Sequence, residues 1–432
     1  MNNSSLATLA MSRRGFLGLG AAIGSAAILS ACSSDNPTPS GSTAPAAASD
    51  FSFASWSITE DATKPVLQAA LDKFAADKGV KITVAPYPYN DYLTQFVLAV
   101  NGGQFQGAAQ LDIAWLPTLA ATGKLADLGS FVSGRGYTTA ALGTGQSNGT
   151  QFGLPWTTAA IGLIAHQGNL DKAGVTSMPT TIDGFEQALN KLKAISGMIP
   201  YAGSTKVAQL KDMQVWMQTF GSPLLKDGKC TIGDDESIAA MTWYKKLYDA
   251  GLIAPDVDRA AARSLFSQGN VGFYDDAPAG KPGVIKSSPD TDLASKMIPI
   301  PRPVVKSGDT PQALAWGHLV IATSGATANT SGQFAQWITS DPTQTVDYFK
   351  QLALPPTTDT ALKDASVTSD TFTSTFTSQV TATATPSPFW VFPQYAQMDS
   401  AVADQIQAVL IGQKSSADAM KAAGDAVNKL IG

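Results

Sequence analysis

Aromatic residues stand where extended segments stop. Trp56 closes "FSFASW", Tyr87 and Tyr89 follow "VKITVAPY", Trp115 ends "LDIAWL", Trp156 stands in "GLPW", Trp316 precedes "GHLVIAT", and Phe389-Trp390 falls in a loop near the end. A flat π face suits one chemistry above others, because a pyranose packs its C–H patch on the ring while its hydroxyls point to the rim. Those hydroxyls need acceptors that take two hydrogen bonds at once, as a carboxylate does. Tyr274, Asp275 and Asp276, at the end of "NVGFYDD", and Asp112 in "LDIAW" are placed to serve, with His318 as a further candidate contact. Trp216, Trp243 and Trp337 sit within helical patterns and read as core.

Catalysis fits these residues poorly. A glycosidase needs two carboxylates facing each other across a bond, yet the three glutamates, Glu60, Glu186 and Glu236, border or lie within helical segments. Asp275 and Asp276 are adjacent, so an extended backbone points them apart. Gly145-Gln146-Ser147-Asn148-Gly149 matches G-x-S-x-G, but no buried strand leads in and no helix leads out, so it reads as a hairpin turn. No phosphate loop is present. With Cys32 and Cys230 the only cysteines and His166 and His318 the only histidines, no pair stands at metal-ligand spacing, and neither a metal nor a cofactor is expected.

The N-terminus reads as an address. Arg13-Arg14 precede a glycine- and alanine-rich run, Gly15–Ala31, that is 17 residues long. A spanning helix needs about 20 predominantly apolar residues, so the run suits an export signal better than an anchor. Leu29-Ser30-Ala31-Cys32 resembles the lipobox of bacterial lipoproteins, which implies cleavage before a lipid-bearing Cys32; Ser12–Leu17 resembles the twin-arginine export motif. Residues 33–50, "SSDNPTPSGSTAPAAASD", hold almost nothing large and apolar and read as a flexible tether reaching about 20 to 25 Å. Removing Arg13 and Arg14 takes the net charge from -5 to -7, and no basic stripe invites nucleic acid.

The elements that must position the aromatics alternate. "FSFASW" is a strand, Val66 to Phe74 recur at helical spacing until Gly79, and "VKITVAPY" is a second strand. The segment "YNDYLTQFVLAVNGG" is a helix burying Leu93, Phe96, Val97 and Val100, and "LDIAWL" a third strand. Thr180 and Asp183 form a capping-box pattern before the Phe185, Leu189, Leu192 face. This alternation predicts an α/β sheet with parallel neighbours.

Over nearly all of residues 51–432 the chain resembles the extracellular solute-binding proteins of bacterial ABC importers, in the sugar-binding group that includes the maltose-binding type. The resemblance rests on "LDIAWLPTLAATGKLADLGSFV", "GTQFGLPWTTAAIGLIAHQGNLDKAGVTSMPTTIDGFEQALNKL", "MTWYKKLYDAGLIAPD", "LFSQGNVGFYDD" and "GHLVIATSGATANTSGQFAQWITSDPTQTVDYF", in that order. It implies an α/β fold of two lobes with a hinge and a ligand cleft between them, residues 51–157 with 303–352 forming one and 158–302 with 353–432 the other. Crossings are expected near Trp156–Ala160 and Pro299–Pro303. It also implies a monomer outside the membrane that captures a carbohydrate, delivers it to ABC permease subunits and is no enzyme. A polyol or glycerophosphodiester ligand is the alternative within the class, and a secreted carbohydrate-active enzyme the alternative outside it. The group's loop after "GFYDD" continues with glycine and tryptophan, whereas Ala277 and Ala279 stand here, so that stacking ring is absent. Cys32→Ala is expected to abolish incorporation of radiolabelled palmitate, and label persisting in the variant would refute the lipobox reading.

Overall fold

The computed structural model describes residues 48–432; Arg13, Arg14, Cys32 and the tether up to residue 47 lie outside them. The fold is α/β and two-lobed, as expected. Strands β1 (Phe51–Ser55), β2 (Ile82–Pro86) and β3 (Gly107–Asp112) are parallel, joined by helices Lys64–Lys78 and Tyr89–Asn101. The first helix carries Pro65 in its opening turn and ends at Gly79 in the left-handed conformation, and it buries Leu67, Ala70, Leu71 and Phe74. In the second, Tyr92, Phe96 and Val100 point inward; Leu93 and Val97 are only half-buried, because the Tyr92 hydroxyl anchors the helix by donating to the Gln110 carbonyl at 2.6 Å.

The remaining strands of the main sheet are β4 (Gly153–His166), β5 (Ile199–Ala202), β6 (Val271–Asp276), β7 (Met297–Ile300), β8 (Ala313–Ala322) and β9 (Ala384–Thr385). They complete one nine-stranded sheet in the order β2-β1-β3-β8-β4-β6-β5, with β7 also on β4 and β9 on β8. The 14-residue β4 is shared: Gly153–Ile161 pairs with β8, then Gly162–Ala165 pairs with β6 and Leu163–His166 with β7. The register skips Trp156, where Thr157 faces His318 and Pro155 faces Leu319. Such a bulge re-aims one side chain.

The segment after Ile300 leaves β7 and leads into β8, which is antiparallel to β4. Leu354–Thr358 makes a further passage, fastened to β4 by two buried hydrogen bonds: Thr157 donates to the Pro355 carbonyl at 2.7 Å and Thr357 to the Pro155 carbonyl at 2.6 Å. One core gathers Phe51, Phe53, Phe74 and Phe334; another gathers Ile164, Phe266, Val271 and Tyr274. The largest joins the aromatics beyond β1 and β3 to Phe185, Trp216, Trp243 and the C-terminal helices Tyr395–Leu410 and Ser416–Ile431.

Three local expectations shift. The strand expected in "LDIAWL" begins earlier and stops at Asp112, whose carboxylate accepts from the Ala114 amide at 3.0 Å and turns Ile113–Trp115 into 3-10 helix. Helix Ile182–Lys193 is capped by Thr181, one residue after the expected Thr180. The G-x-S-x-G segment is a hairpin, with Gln146–Ser147 paired to Thr150–Gln151 around Asn148 and Gly149 at φ 50° and 79°, the left-handed pair such a turn requires. Close packing of β8 on β4 leaves no room at Gly317, where a Cβ would stand 2.5 Å from the Thr157 carbonyl oxygen. Gly317→Ala is therefore expected to destabilise the protein by about 1 to 3 kcal/mol in urea titration. Gly283→Ala, in a helix with nothing within 4 Å, should be neutral or better.

Candidate functional site

Beyond the ends of β1 and β3 the aromatics converge. Trp56 meets Tyr89 at 5.4 Å between centroids, Trp115 at 5.4 Å and His318 at 4.9 Å, all edge to face, and Trp316 meets His318 at 4.5 Å. Trp56 and Trp115 are largely buried in this array, while Trp316 stays half-exposed. Tyr87 packs behind it on Tyr92 and Phe96. Asp112 lies alongside, accepting from the Tyr89 hydroxyl at 3.0 Å; burial raises its carboxyl above the usual range, opposed by the Ala114 amide, the Lys211 charge and that hydroxyl.

A buried relay backs the array. The Ser57 amide donates to Ser55 Oγ at 3.0 Å, Ser55 Oγ donates to Gln110 Oε1 at 2.6 Å, and Gln110 Nε2 donates to His318 Nδ1 at 3.1 Å. With Nδ1 accepting, the imidazole is neutral and carries its proton on Nε2. Burial lowers His318 to about 3, so it stays neutral throughout the physiological range.

The end of β6 is built differently from the sequence expectation. Asp275 and Asp276 do point apart, but each is committed to an arginine. Asp275 accepts from Arg302 Nη2 at 2.7 Å and from the Tyr201 hydroxyl. Asp276, with no exposed surface, takes both Nε and Nη2 of Arg263 at 2.8 and 2.7 Å and the Ala277 amide at 2.8 Å. Arg259 pairs with Asp212 and donates to the Asp275 carbonyl. The two carboxylates thus hold the wall together instead of standing free as hydroxyl acceptors. Gly280 is part of this arrangement, since a Cβ there would fall 1.8 Å from Asp276 Oδ2.

Two more expected contacts are interior. Trp156, 1% exposed, stacks on Tyr348 at 4.5 Å and 17°. Tyr274 lies fully buried against Phe266 at 4.4 Å. Trp216 and Trp243 are core, as expected, whereas Trp337 is only half-buried.

Residues that sequence reasoning missed complete the surroundings. Glu60 is exposed and lies in the field of Arg263. Lys211 acts on both Asp112 and Asp399, and burial raises Asp399 also. Trp390 is half-buried, and just beyond it the Pro393 carbonyl accepts from Thr118 Oγ1 at 2.7 Å, tying the short helix after Trp115 to the C-terminal region. One signal was available: Arg259 and Arg263 stand four apart on the helix that precedes β6, on the same face and just before the acidic pair.

Strand-end loops gathered where a sheet changes partners are where open α/β sheets take ligands, and the comparisons agree with that architecture. The sequence profile of the family "Bacterial extracellular solute-binding protein" matches residues 69–374. The chain belongs to that family.

Its fold is similar to that of the GacH receptor of Streptomyces glaucescens, solved unliganded and with acarbose and an acarbose homolog. That likeness has a TM-score of 0.80 at 19% identity, over 89% of this chain and 98% of that one. It is similar to maltose-bound MalE3 of T. maritima at TM-score 0.79 and 20% identity, covering 89% and 100% of the two chains. A solute-binding protein of Agrobacterium radiobacter in complex with ribitol matches at TM-score 0.74 and 18% identity, over 89% and 98%. No curated protein sequence matches. In this solute-binding protein no described helix is long and apolar enough to cross a membrane, and the family is extracytoplasmic.

Arg263→Met should strand the fully buried Asp276 charge. Removing one partner of such a pair costs about 3 to 5 kcal/mol, so a large loss of stability in urea titration is expected at neutral pH. A change under about 1 kcal/mol would show that Asp276 does not depend on the arginine.

Proposed function

We propose that the protein captures a carbohydrate outside the cell membrane and delivers it to an ABC importer permease, acting as a binder and not as an enzyme. The observation that carries this reading is the convergence of Trp56, Trp115, Trp316 and His318 beside the strand β4 that both lobes share. Family membership supports the transport role. The sugars and the alditol bound by proteins of the same fold support the ligand class. In this reading residues 51–157 with 303–352 form one lobe and 158–302 with 353–432 the other, closing about the crossings. The mature chain is held to the membrane through lipid on Cys32 after twin-arginine export, and works as a monomer.

A polyol is the second reading, favoured by the ribitol-bound relative. An enzyme is disfavoured by the commitment of Asp275 and Asp276 to arginines, which leaves that pair unable to act as acid and nucleophile.

Thermal shift against maltose, maltotriose, D-tagatose and ribitol tests the class, since a ligand at 100 times its dissociation constant adds about 2.7 kcal/mol of stability. A flat response to all four would reject it. With the best of these in calorimetry, Trp316→Ala and Trp390→Ala are expected to lose about 2 kcal/mol or more of binding while melting nearly as wild type. Trp156→Ala should do the reverse, losing roughly 3 to 5 kcal/mol of stability with its folded fraction binding normally.

A further inference from the structure

The polarity of the relay behind His318 follows from its lengths. Ser55 Oγ and Gln110 Oε1 stand 2.6 Å apart, a separation that suits a hydroxyl donating to an oxygen and is short for an amide nitrogen doing so. The Gln110 amino group therefore faces the ring, 3.1 Å from Nδ1, and the imidazole proton lies on Nε2. Only that end is uncommitted. Nε2 makes no hydrogen bond to a described residue, yet it is not sealed from the surface as Trp156 Nε1 and Arg302 Nε are. His318 as a whole is 5% exposed, so this N–H opens through a narrow gap.

The surroundings decide what can approach it. Trp56 meets the imidazole edge to face at 4.9 Å, and the half-exposed Trp316 closes on it at 4.5 Å. Asp112 is its cross-strand neighbour on β3, with Oδ1 taken by the Ala114 amide and Oδ2 by the Tyr89 hydroxyl; Thr157 faces it from β4. No charged group among the described residues shifts the imidazole, which burial alone lowers to about 3. An ammonium brings no lone pair to an N–H, and a carboxylate would have to settle beside Asp112. A neutral oxygen fits.

Resting on the carbohydrate reading above, we propose that His318 Nε2 donates to one hydroxyl or ether oxygen at the rim of a sugar ring packed on Trp316, and that Ser55 and Gln110 are the positioning residues that keep it a donor. A nearly buried donor left unpaired is costly, so a ligand presenting no acceptor at that point is rejected. Selectivity there depends on side chains that never touch the ligand.

The test combines calorimetry with nitrogen NMR of His166 and His318 in wild type and Gln110→Glu, using the tightest binder among maltose, maltotriose, D-tagatose and ribitol. Wild type should show the Nε2–H tautomer of His318 and hold its affinity between about pH 5 and 8. In Gln110→Glu a carboxylate can only accept, so it draws the proton to Nδ1 and leaves Nε2 bare. Binding should then weaken by about 10- to 100-fold at about pH 8 and recover as falling pH adds a second proton at Nε2. A flipped tautomer with binding unchanged, or weakened equally at every pH, would overturn the proposal while leaving the carbohydrate reading intact. Wild type carrying its proton on Nδ1 would overturn it as well. Wild type binding none of the four would overturn both. If Gln110→Glu misfolds or keeps the wild-type tautomer, His318→Phe decides alone, since it retains a ring in the array and lacks the donor: affinity within about threefold of wild type refutes, and a larger loss in the folded protein supports.

Discussion

The structure depends on β4 belonging to two neighbourhoods at once. Backbone amides and carbonyls within a buried strand need partners, and over 14 residues β4 draws them from β8 on one stretch and from β6 and β7 on the next. The change of partner between Ile161 and Gly162 comes without a break in the ladder. Gly162 itself is forced by packing, since a Cβ there would stand 2.2 Å from Val380 Cγ1. The Thr157 and Thr357 hydroxyls bind the segment Leu354–Thr358 to this same strand.

On either side of β4 the polar groups are organised by opposite means. Near β1 and β3 a neutral relay through Ser55 and Gln110 fixes one imidazole tautomer with no charge at all. Near β6 the same task falls to three arginine–aspartate pairs, Arg259–Asp212, Arg263–Asp276 and Arg302–Asp275. Buried pairs add little net stability compared with apolar packing, but they hold rigid side chains in one geometry. Arg302 gains a further fixture by lying 4.4 Å over the Trp216 ring.

Sequence legibility followed the range of the interactions. The parallel β1, β2 and β3 were readable because helical and strand periods alternate locally, and the hairpin at Asn148-Gly149 because its dihedrals select those residues. The meeting of Trp56 and Trp115 was readable as strand-end positions, whereas Trp316 and His318 lie within β8. Trp156 was misread because β4 is buried on both faces and carries a bulge at that very residue, so alternation gives no direction; its partner, Tyr348, is supplied from a distant helix. Asp275 and Asp276 were misread for a related reason. Acceptors look free in a sequence until the arginines that claim them, one four residues into a preceding helix and one beyond the next strand, are brought alongside. Lys211, Gln214 and Asp399 converge from separate elements and left no local pattern at all.

The pairing of β8 with β3 sets the order in which this chain can become a protein. Asp112 finds its partner His318 only after about 200 further residues exist, and the core around Phe185 and Trp216 needs the helices that end at Ile431. Synthesis from the N-terminus therefore leaves β3 with an unpaired edge for nearly half of the time the chain is being made, and no early lobe can close by itself. Contacts so distant in sequence make folding slow, and exposed edges in the interval invite wrong partners. Whatever machinery moves this protein to its place of work must either hold the chain open until its last residues arrive or wait until both lobes are complete.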